Sequence, residues 1–359
     1  MTDPRLYRWA LGNPLGRWIS ARRARGLFTL MAGFVHSQVL LACVRLRLLE
    51  LVCQAPRTAQ ELTALTQIPP DALQRLLDAA QSLQLLELRS GARYGLGSLG
   101  APVVAHEGLR AMIEHNALLY ADMRDPLALL DAPKEAGMHA YWPYAASEAG
   151  QREARQSPEQ VARYSALMAS SQRFVIEELL ASYPFARHHR VLDVGGGQGG
   201  WVSELARQQA GLELMLFDLP PVADLAREKI AQAGLASRIT VHGGSFTSDA
   251  LPRGADLVTL LRVAHDHPDE VVRPLLHAIF EALEPGGTLL LAEPMAQAPG
   301  GAGTADAYFH FYLLAMGEGR LRTAEQLHAL MAEAGFVRLG RVPNPMPLHA
   351  TLLTGQKPG

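Results

Sequence analysis

Cysteine, lysine and charge in general are scarce in this sequence. Its 359 residues include two cysteines, and charged side chains make up 19%. Cys43 and Cys53 lie in apolar helical stretches with no CxxC spacing and no accompanying histidine pair. That excludes a disulfide framework or zinc site and predicts buried free thiols in a reducing compartment. A hydrophobic share of 48% beside so little charge excludes extensive disorder or a charged tail. The formal net charge of −2 and pI near 6.7 give no broad basic surface, so nucleic acid is not an expected partner. Lys134, Lys229 and Lys357 are the only lysines. The preference for arginine over lysine reads as a composition bias.

Neither a secretory leader nor a membrane-crossing helix is expected from the N-terminal pattern. Arg5, Arg8, Arg17, Arg22, Arg23 and Arg25 interrupt the first 25 residues, and no small-residue cleavage pattern follows. The apolar run from Phe28 to Leu51 is broken by His36, Gln38, Arg45 and Arg47, and so reads as a buried helix. The expected location is cytoplasmic, with a basic segment bearing Trp9 and Trp18 suited to peripheral contact with a membrane surface.

The length exceeds the roughly 250–300 residues at which one core stops growing, so more than one domain is expected. Residues 1–105 read as a helical, winged-helix domain. Thr58 and Glu61 form a capping box, a second helix starts at Pro69–Pro70 with Leu73, Leu76, Leu77 and Leu83 on its apolar stripe, and Leu85–Leu88 with Arg93–Leu96 make a hairpin. Asp71 and Asp78 against a single Arg75 argue against DNA contact by that second helix. Residues 106–183 read as a helical connector contributing to a substrate pocket, rich in His, Tyr, Trp and Met, including His115, Tyr120, Met123, Tyr141, Trp142, Tyr144, Tyr164 and Met168. In 184–359, short apolar runs such as Val191–Val194, Leu214–Phe217, Ile239–Val241, Leu257–Leu260 and Thr288–Leu291 alternate with helix-length segments. The fold class is therefore α/β, a Rossmann-like doubly wound sheet behind an N-terminal α-helical winged-helix domain.

The strongest local signal runs from Asp193 to Gly200, where Gly195, Gly197 and Gly199 leave a strand and enter a helix. Glycines permit a sharp turn and close approach of a nucleotide-like ligand. Gly195, Gly197 and Gly200 also satisfy the GxGxxG fingerprint of NAD proteins. Asp193, two residues before the first glycine, would face a cationic ligand and repel a pyrophosphate. Asp218 ends the next strand at the distance expected of an acid that accepts hydrogen bonds from a ribose. A carboxylate at the loop and an acid at the ribose suit S-adenosyl-L-methionine, whose amino and sulfonium groups are positive. Leu219, Ser245, Phe246 and Arg262 complete the candidate cofactor set, Phe246 as a stacking surface for the adenine.

After the fourth strand comes Arg262-Val263-Ala264-His265-Asp266-His267-Pro268-Asp269-Glu270, at the carboxyl edge of the sheet where ligands bind in doubly wound folds. His265, His267, Asp269 and Glu270 do not complete a metal site, because Asp269 and Glu270 begin a helix whose dipole they suit. This stretch, with the glycine loop, Asp218-Leu219-Pro220-Pro221-Val222, Ala292-Glu293 and Arg322-Thr323-Ala324-Glu325-Gln326-Leu327, resembles the caffeic-acid-type S-adenosylmethionine-dependent O-methyltransferases. The resemblance implies that His265 is the general base, that Asp266 and Glu293 support or orient it, and that the N-terminal domain makes a homodimer. An imidazole with an ordinary pKa of about 6.5 suits that role near neutral pH. Four positions depart from the family pattern: His267 replaces a tryptophan, Ser245 an aspartate, Leu261 the lysine of plant members, and Leu321 the second acid.

Phe34–Leu40, Tyr141–Ala145 and Ala162–Gln172 resemble the branch of that family acting on acyclic carotenoids such as hydroxyneurosporene. That branch implies an apolar small-molecule substrate methylated at a tertiary C-1 hydroxyl, and a place at the inner or photosynthetic membrane. Tyr308–Met316, aromatic and Met-rich, suits the wall of a polyene tunnel or, equally, packing between domains. Other apolar acceptors, such as a phenol, polyketide or bacteriochlorophyll precursor, an NAD-dependent oxidoreductase and a non-catalytic S-adenosylmethionine sensor remain the competing readings.

Overall fold

The computed structural model describes residues 12–141, 172–173, 175–299, 303–345 and 350–359. Trp9, Trp142, Tyr144, Tyr164 and Met168 lie outside the described residues. The chain divides into two compact units, Met1–Glu114 and His115–Gly359.

In the first unit, Asn13 caps α1 (Pro14–Arg45) by accepting from the Leu15 amide, and Arg47, with φ of 54°, turns the chain into α2 (Leu48–Gln54). Next come β1 (Arg57–Thr58), α3 (Ala59–Thr66), α4 (Pro70–Ser82), β2 (Leu86–Arg89), β3 (Arg93–Leu96) and α5 (Gly100–Ala105). The Thr58–Glu61 capping box starts α3, and β1-β3-β2 form the small antiparallel sheet of the wing. The core gathers Leu48, Leu49, Leu62, Leu73, Leu77 and Leu86.

Two expectations fail in this unit. The helix read as buried is mostly exposed: within α1 Leu41, Cys43 and Val44 are buried, whereas Leu30 is 80% and Phe34 70% exposed. A single copy of the chain has too little core to cover so long a helix. Cys53, expected buried like Cys43, is exposed because it falls on the outer side of α2.

The division between units falls inside α6 (Glu107–Asp122), which leads to α7 (Pro126–Asp131) and α8 (Gly137–Tyr141). The sheet uses β4 (Arg190–Val194), β5 (Glu213–Asp218), β6 (Ile239–Gly243), β7 (Ala255–Leu261), β8 (Leu283–Glu293), β9 (Val337–Val342) and β10 (Thr351–Gln356). Their order is β6-β5-β4-β7-β8-β10-β9. Strands β4 to β8 pair in parallel, while β10 runs antiparallel to both β8 and β9. Helices α9 (Gly200–Gln208), α10 (Pro220–Gln232), α11 (Asp269–Ala282), α12 (Thr304–Met316) and α13 (Ala324–Glu333) complete the unit. Buried apolar side chains form two core clusters with strand residues in both, as a parallel sheet covered on two faces requires. The order reverses at β4, between β5 and β7, and a crevice at the carboxyl ends of such strands is where these folds bind ligands.

Candidate active site

The turn after β7 meets the end of β8 because Leu261 pairs with Ala292 and the Arg262 amide donates to the Ala292 carbonyl at 2.9 Å. Glu293, the last residue of β8, is 1% exposed. Its Oε1 accepts the amides of Val263 and Ala264 at 2.9 and 2.8 Å, which fixes the orientation of the carboxyl group. Oε2 faces His265 Nδ1 in a short hydrogen bond. On the other side of the ring, Nε2 lies 3.1 Å from Asp266 Oδ1. Burial disfavours the imidazolium, but Asp266 and Glu293 outweigh it and hold His265 above its ordinary pKa. Burial pushes Asp266 up to about 6, against the pull of His265.

The structure also shows what holds this turn. Arg322 is 3% exposed and donates to the carbonyls of Ala264 at 2.7 Å and His267 at 2.8 Å, and to Asp269 Oδ1 through two nitrogens. The Arg320 amide donates to the His265 carbonyl at 2.7 Å. The carbonyls of Ala264, His265 and His267 are thus tied to one arginine-bearing segment. Sequence reasoning placed Arg322 in a motif without a role and read Asp269 as a helix-dipole acid. Asp269 does start α11, yet its carboxylate serves Arg322, which overcomes burial and keeps it below the ordinary range. No pattern in the sequence says which carbonyls an arginine will reach.

Leu321, at the place of the family's second acid, packs with Tyr312, Leu313 and Met316. His267 stands edge-on to Phe246, ring centres 5.4 Å apart, and burial lowers its pKa to about 4. Phe246 packs against the sheet core as well as His267, and Ser245 is engaged in its own turn: its hydroxyl bonds Thr247 at 2.7 Å and its amide donates to Asp249 Oδ2. Among the described residues no group of His, Cys, Asp and Glu is arranged to hold a metal ion.

The glycine loop has the strain that its composition implies. Gly195, Gly197 and Gly199 have φ of 70°, 57° and 79°. A Cβ on Gly195 would fall 2.6 Å from Val263, and one on Gly196 would fall 2.6 Å from Asp193 Oδ2. Asp218 secures the loop: Oδ2 accepts the Gly197 amide and Oδ1 the Leu219 amide, both at 2.7 Å. Each oxygen keeps a lone pair for a hydroxyl donor. Trp201 donates to Thr259, which donates to Asp193 Oδ1 at 2.7 Å. Thr259 and Trp201 were not singled out from sequence for this role. Burial pushes Asp193 up to about 8, more strongly than Thr259 draws it down, and Asp218 adds to the rise. A cation would relieve this carboxyl and a pyrophosphate would aggravate it. Asp193, Gly195 and Arg262 share one narrow cavity, and Arg262 holds a left-handed φ of 55° there. This donor set fits S-adenosylmethionine.

Comparison with known proteins agrees. An O-methyltransferase domain matches residues 128–337 and an O-methyltransferase dimerisation domain matches residues 28–104. The chain is 41% identical to the demethylspheroidene O-methyltransferase of Cereibacter sphaeroides, an alignment covering 96% of this chain and 90% of that protein. It is 36% identical to the Rhodobacter capsulatus protein of the same name, over 96% and 85%. Among solved structures, the apo S-adenosylmethionine-dependent methyltransferase SibL has a TM-score of 0.79 at 24% identity, covering 93% of this chain and 99% of that one. Human N-acetylserotonin methyltransferase in complex with SAM has a TM-score of 0.75 at 23% identity, over 94% and 98%.

Proposed function

Because the chain belongs to the S-adenosylmethionine-dependent O-methyltransferase family, we propose that it methylates the tertiary C-1 hydroxyl of acyclic carotenoids of the hydroxyneurosporene and demethylspheroidene type, with His265 as general base. Likeness over nearly the whole chain to two enzymes named for demethylspheroidene carries the acceptor. The oxidoreductase reading of the glycines falls with the family match.

S-adenosylmethionine, when bound, supplies a methyl carbon activated by a positive sulfur. Asp193, Gly195, Gly197, Gly199, Asp218, Leu219, Ser245, Phe246 and Arg262 are assigned to hold it. His265 takes the acceptor's proton at Nε2, since Nδ1 is closed against Glu293. Asp266 stands at that same nitrogen and shares the proton. A tertiary hydroxyl is a weak acid, so proton removal accompanies C–O bond formation, and much of the rate comes from alignment. On α12, Tyr312, Leu313 and Met316 belong to the core, whereas Tyr308, Phe309 and Phe311 are half-buried and are assigned to the apolar wall. Tyr308 is oriented by donating to Asn116 at 2.8 Å. An acceptor of this class partitions into lipid, so the reading extends to a cytoplasmic homodimer in peripheral contact with the inner or photosynthetic membrane.

The test is incubation with methyl-labelled S-adenosylmethionine and, in parallel, hydroxylated acyclic carotenoids, bacteriochlorophyll precursors and phenols. Label is expected in the carotenoid ether. Label confined to a phenol or a bacteriochlorophyll precursor overturns the acceptor.

A further inference from the structure

The first helix has two unlike sides. Leu27, Phe28, Leu30, Met31, Phe34 and Val35 are exposed, and at about 100° per residue they gather on one side of α1. That side falls almost wholly within the stretch matched by the dimerisation domain, which begins at residue 28. Leu15, Trp18, Arg22 and Arg25 follow one another at spacings of three and four residues, so they stack on the opposite side, upstream of that domain. Leu15 is 64% and Trp18 57% exposed, both arginines are exposed, and the Arg22 guanidinium stands 5.7 Å from the centre of the Trp18 ring.

Charge is segregated here too. Between Asp3 and Glu50 the chain has no carboxylate side chain, and every formally charged residue is arginine, in a protein whose net charge is −2. An exposed indole among arginines without acids complements a surface with negative headgroups above hydrocarbon.

We propose that the Leu15–Trp18–Arg22–Arg25 side of α1 docks the protein peripherally on a bilayer containing anionic lipid, with Trp18 at headgroup level and the arginines on lipid phosphates. A transmembrane placement of α1 does not satisfy the same structure. The helix, with 32 residues and a mean hydropathy of 1.8 over its most apolar stretch, is long and apolar enough to cross. Its last turns, however, bury Leu41, Cys43 and Val44 in a core shared with Leu62 and Leu73, and a crossing would strip that core. The inference deepens the proposed function and rests on it for purpose alone: a carotenoid acceptor is met at a lipid surface.

The experiment floats the full-length protein, without acceptor, on phosphatidylglycerol-containing vesicles and on phosphatidylcholine vesicles. Association is expected with the anionic vesicles, weakened by salt, and lost from the neutral ones. A variant combining Trp18→Ser, Arg22→Glu and Arg25→Glu is expected to lose on the order of tenfold or more in partitioning. Its oligomeric state and S-adenosylmethionine affinity should be unchanged, since all three side chains are exposed. No association with anionic vesicles, equal association with both kinds, resistance to alkaline carbonate extraction, or full binding by the variant would each overturn the proposal. Because the readout needs no acceptor, failure of the carotenoid assay with intact vesicle binding sinks the acceptor alone, and the reverse outcome sinks the docking surface alone.

Discussion

Asp193 imposes a measurable cost on the folded chain. With a folded pKa near 8 and an ordinary value of about 3.9 when unfolded, the unfolded state gives up its proton first. Stability therefore declines as pH rises from about 4 and the penalty is complete above about 8. Asp193→Asn is expected to raise the Tm of the cofactor-free protein at alkaline pH, on the order of a few degrees, while weakening S-adenosylmethionine binding about tenfold or more. In the parent protein, calorimetry should show affinity strengthening as pH rises through about 8, because the cation needs the carboxylate. Flat affinity between about pH 6 and pH 9 would contradict that role. Glu293 makes a parallel case. It stabilises the imidazolium of His265, so Glu293→Gln should lower the pKa of His265 and, with His265 as the proposed base, move the acid limb of the kcat/KM profile to lower pH. Turnover at the plateau should also fall, because the side chain that anchors the amides of Val263 and Ala264 is altered.

The glycine turn between β4 and α9 separates two kinds of strain. Gly197 has a positive φ but open space around it, whereas Gly195 combines a positive φ with Val263 where a side chain would go. Gly197→Ala should cost about 1 kcal/mol and Gly195→Ala more, about 2–3 kcal/mol with loss of cofactor binding, as read by urea unfolding and calorimetry. Legibility divides along similar lines. Loop glycines, Asp218 and the strand ends were readable because backbone conformation and chain spacing select them. The Thr58–Glu61 cap and the wing hairpin were readable for the same local reason. Strands β9 and β10 were not, since Val337–Val342 is a largely exposed edge strand with little apolar run, and Thr351–Gln356 follows it without an intervening helix and pairs antiparallel. The Arg322 clamp was invisible because its acceptors are backbone carbonyls, which every sequence possesses. The exposure of α1 was missed because apolar composition does not say whether a side chain is covered by its own chain or by another.

Across the whole molecule, scarce charge and an exposed apolar helix side belong together. A protein with a dimerisation domain can leave Leu30 and Phe34 uncovered in one copy, and Leu30→Asp with Phe34→Asp should shift the dimer to monomer in analytical ultracentrifugation. The catalytic account rests on one buried imidazole between two carboxylates, joined to a cofactor cradle by a common sheet edge. Its most direct measurement is the single-turnover rate of methyl transfer by His265→Ala at saturating S-adenosylmethionine. A fall of about 10²–10⁴ in rate with cofactor Kd within a few-fold of the parent is predicted, and an unchanged rate would contradict His265 as the base.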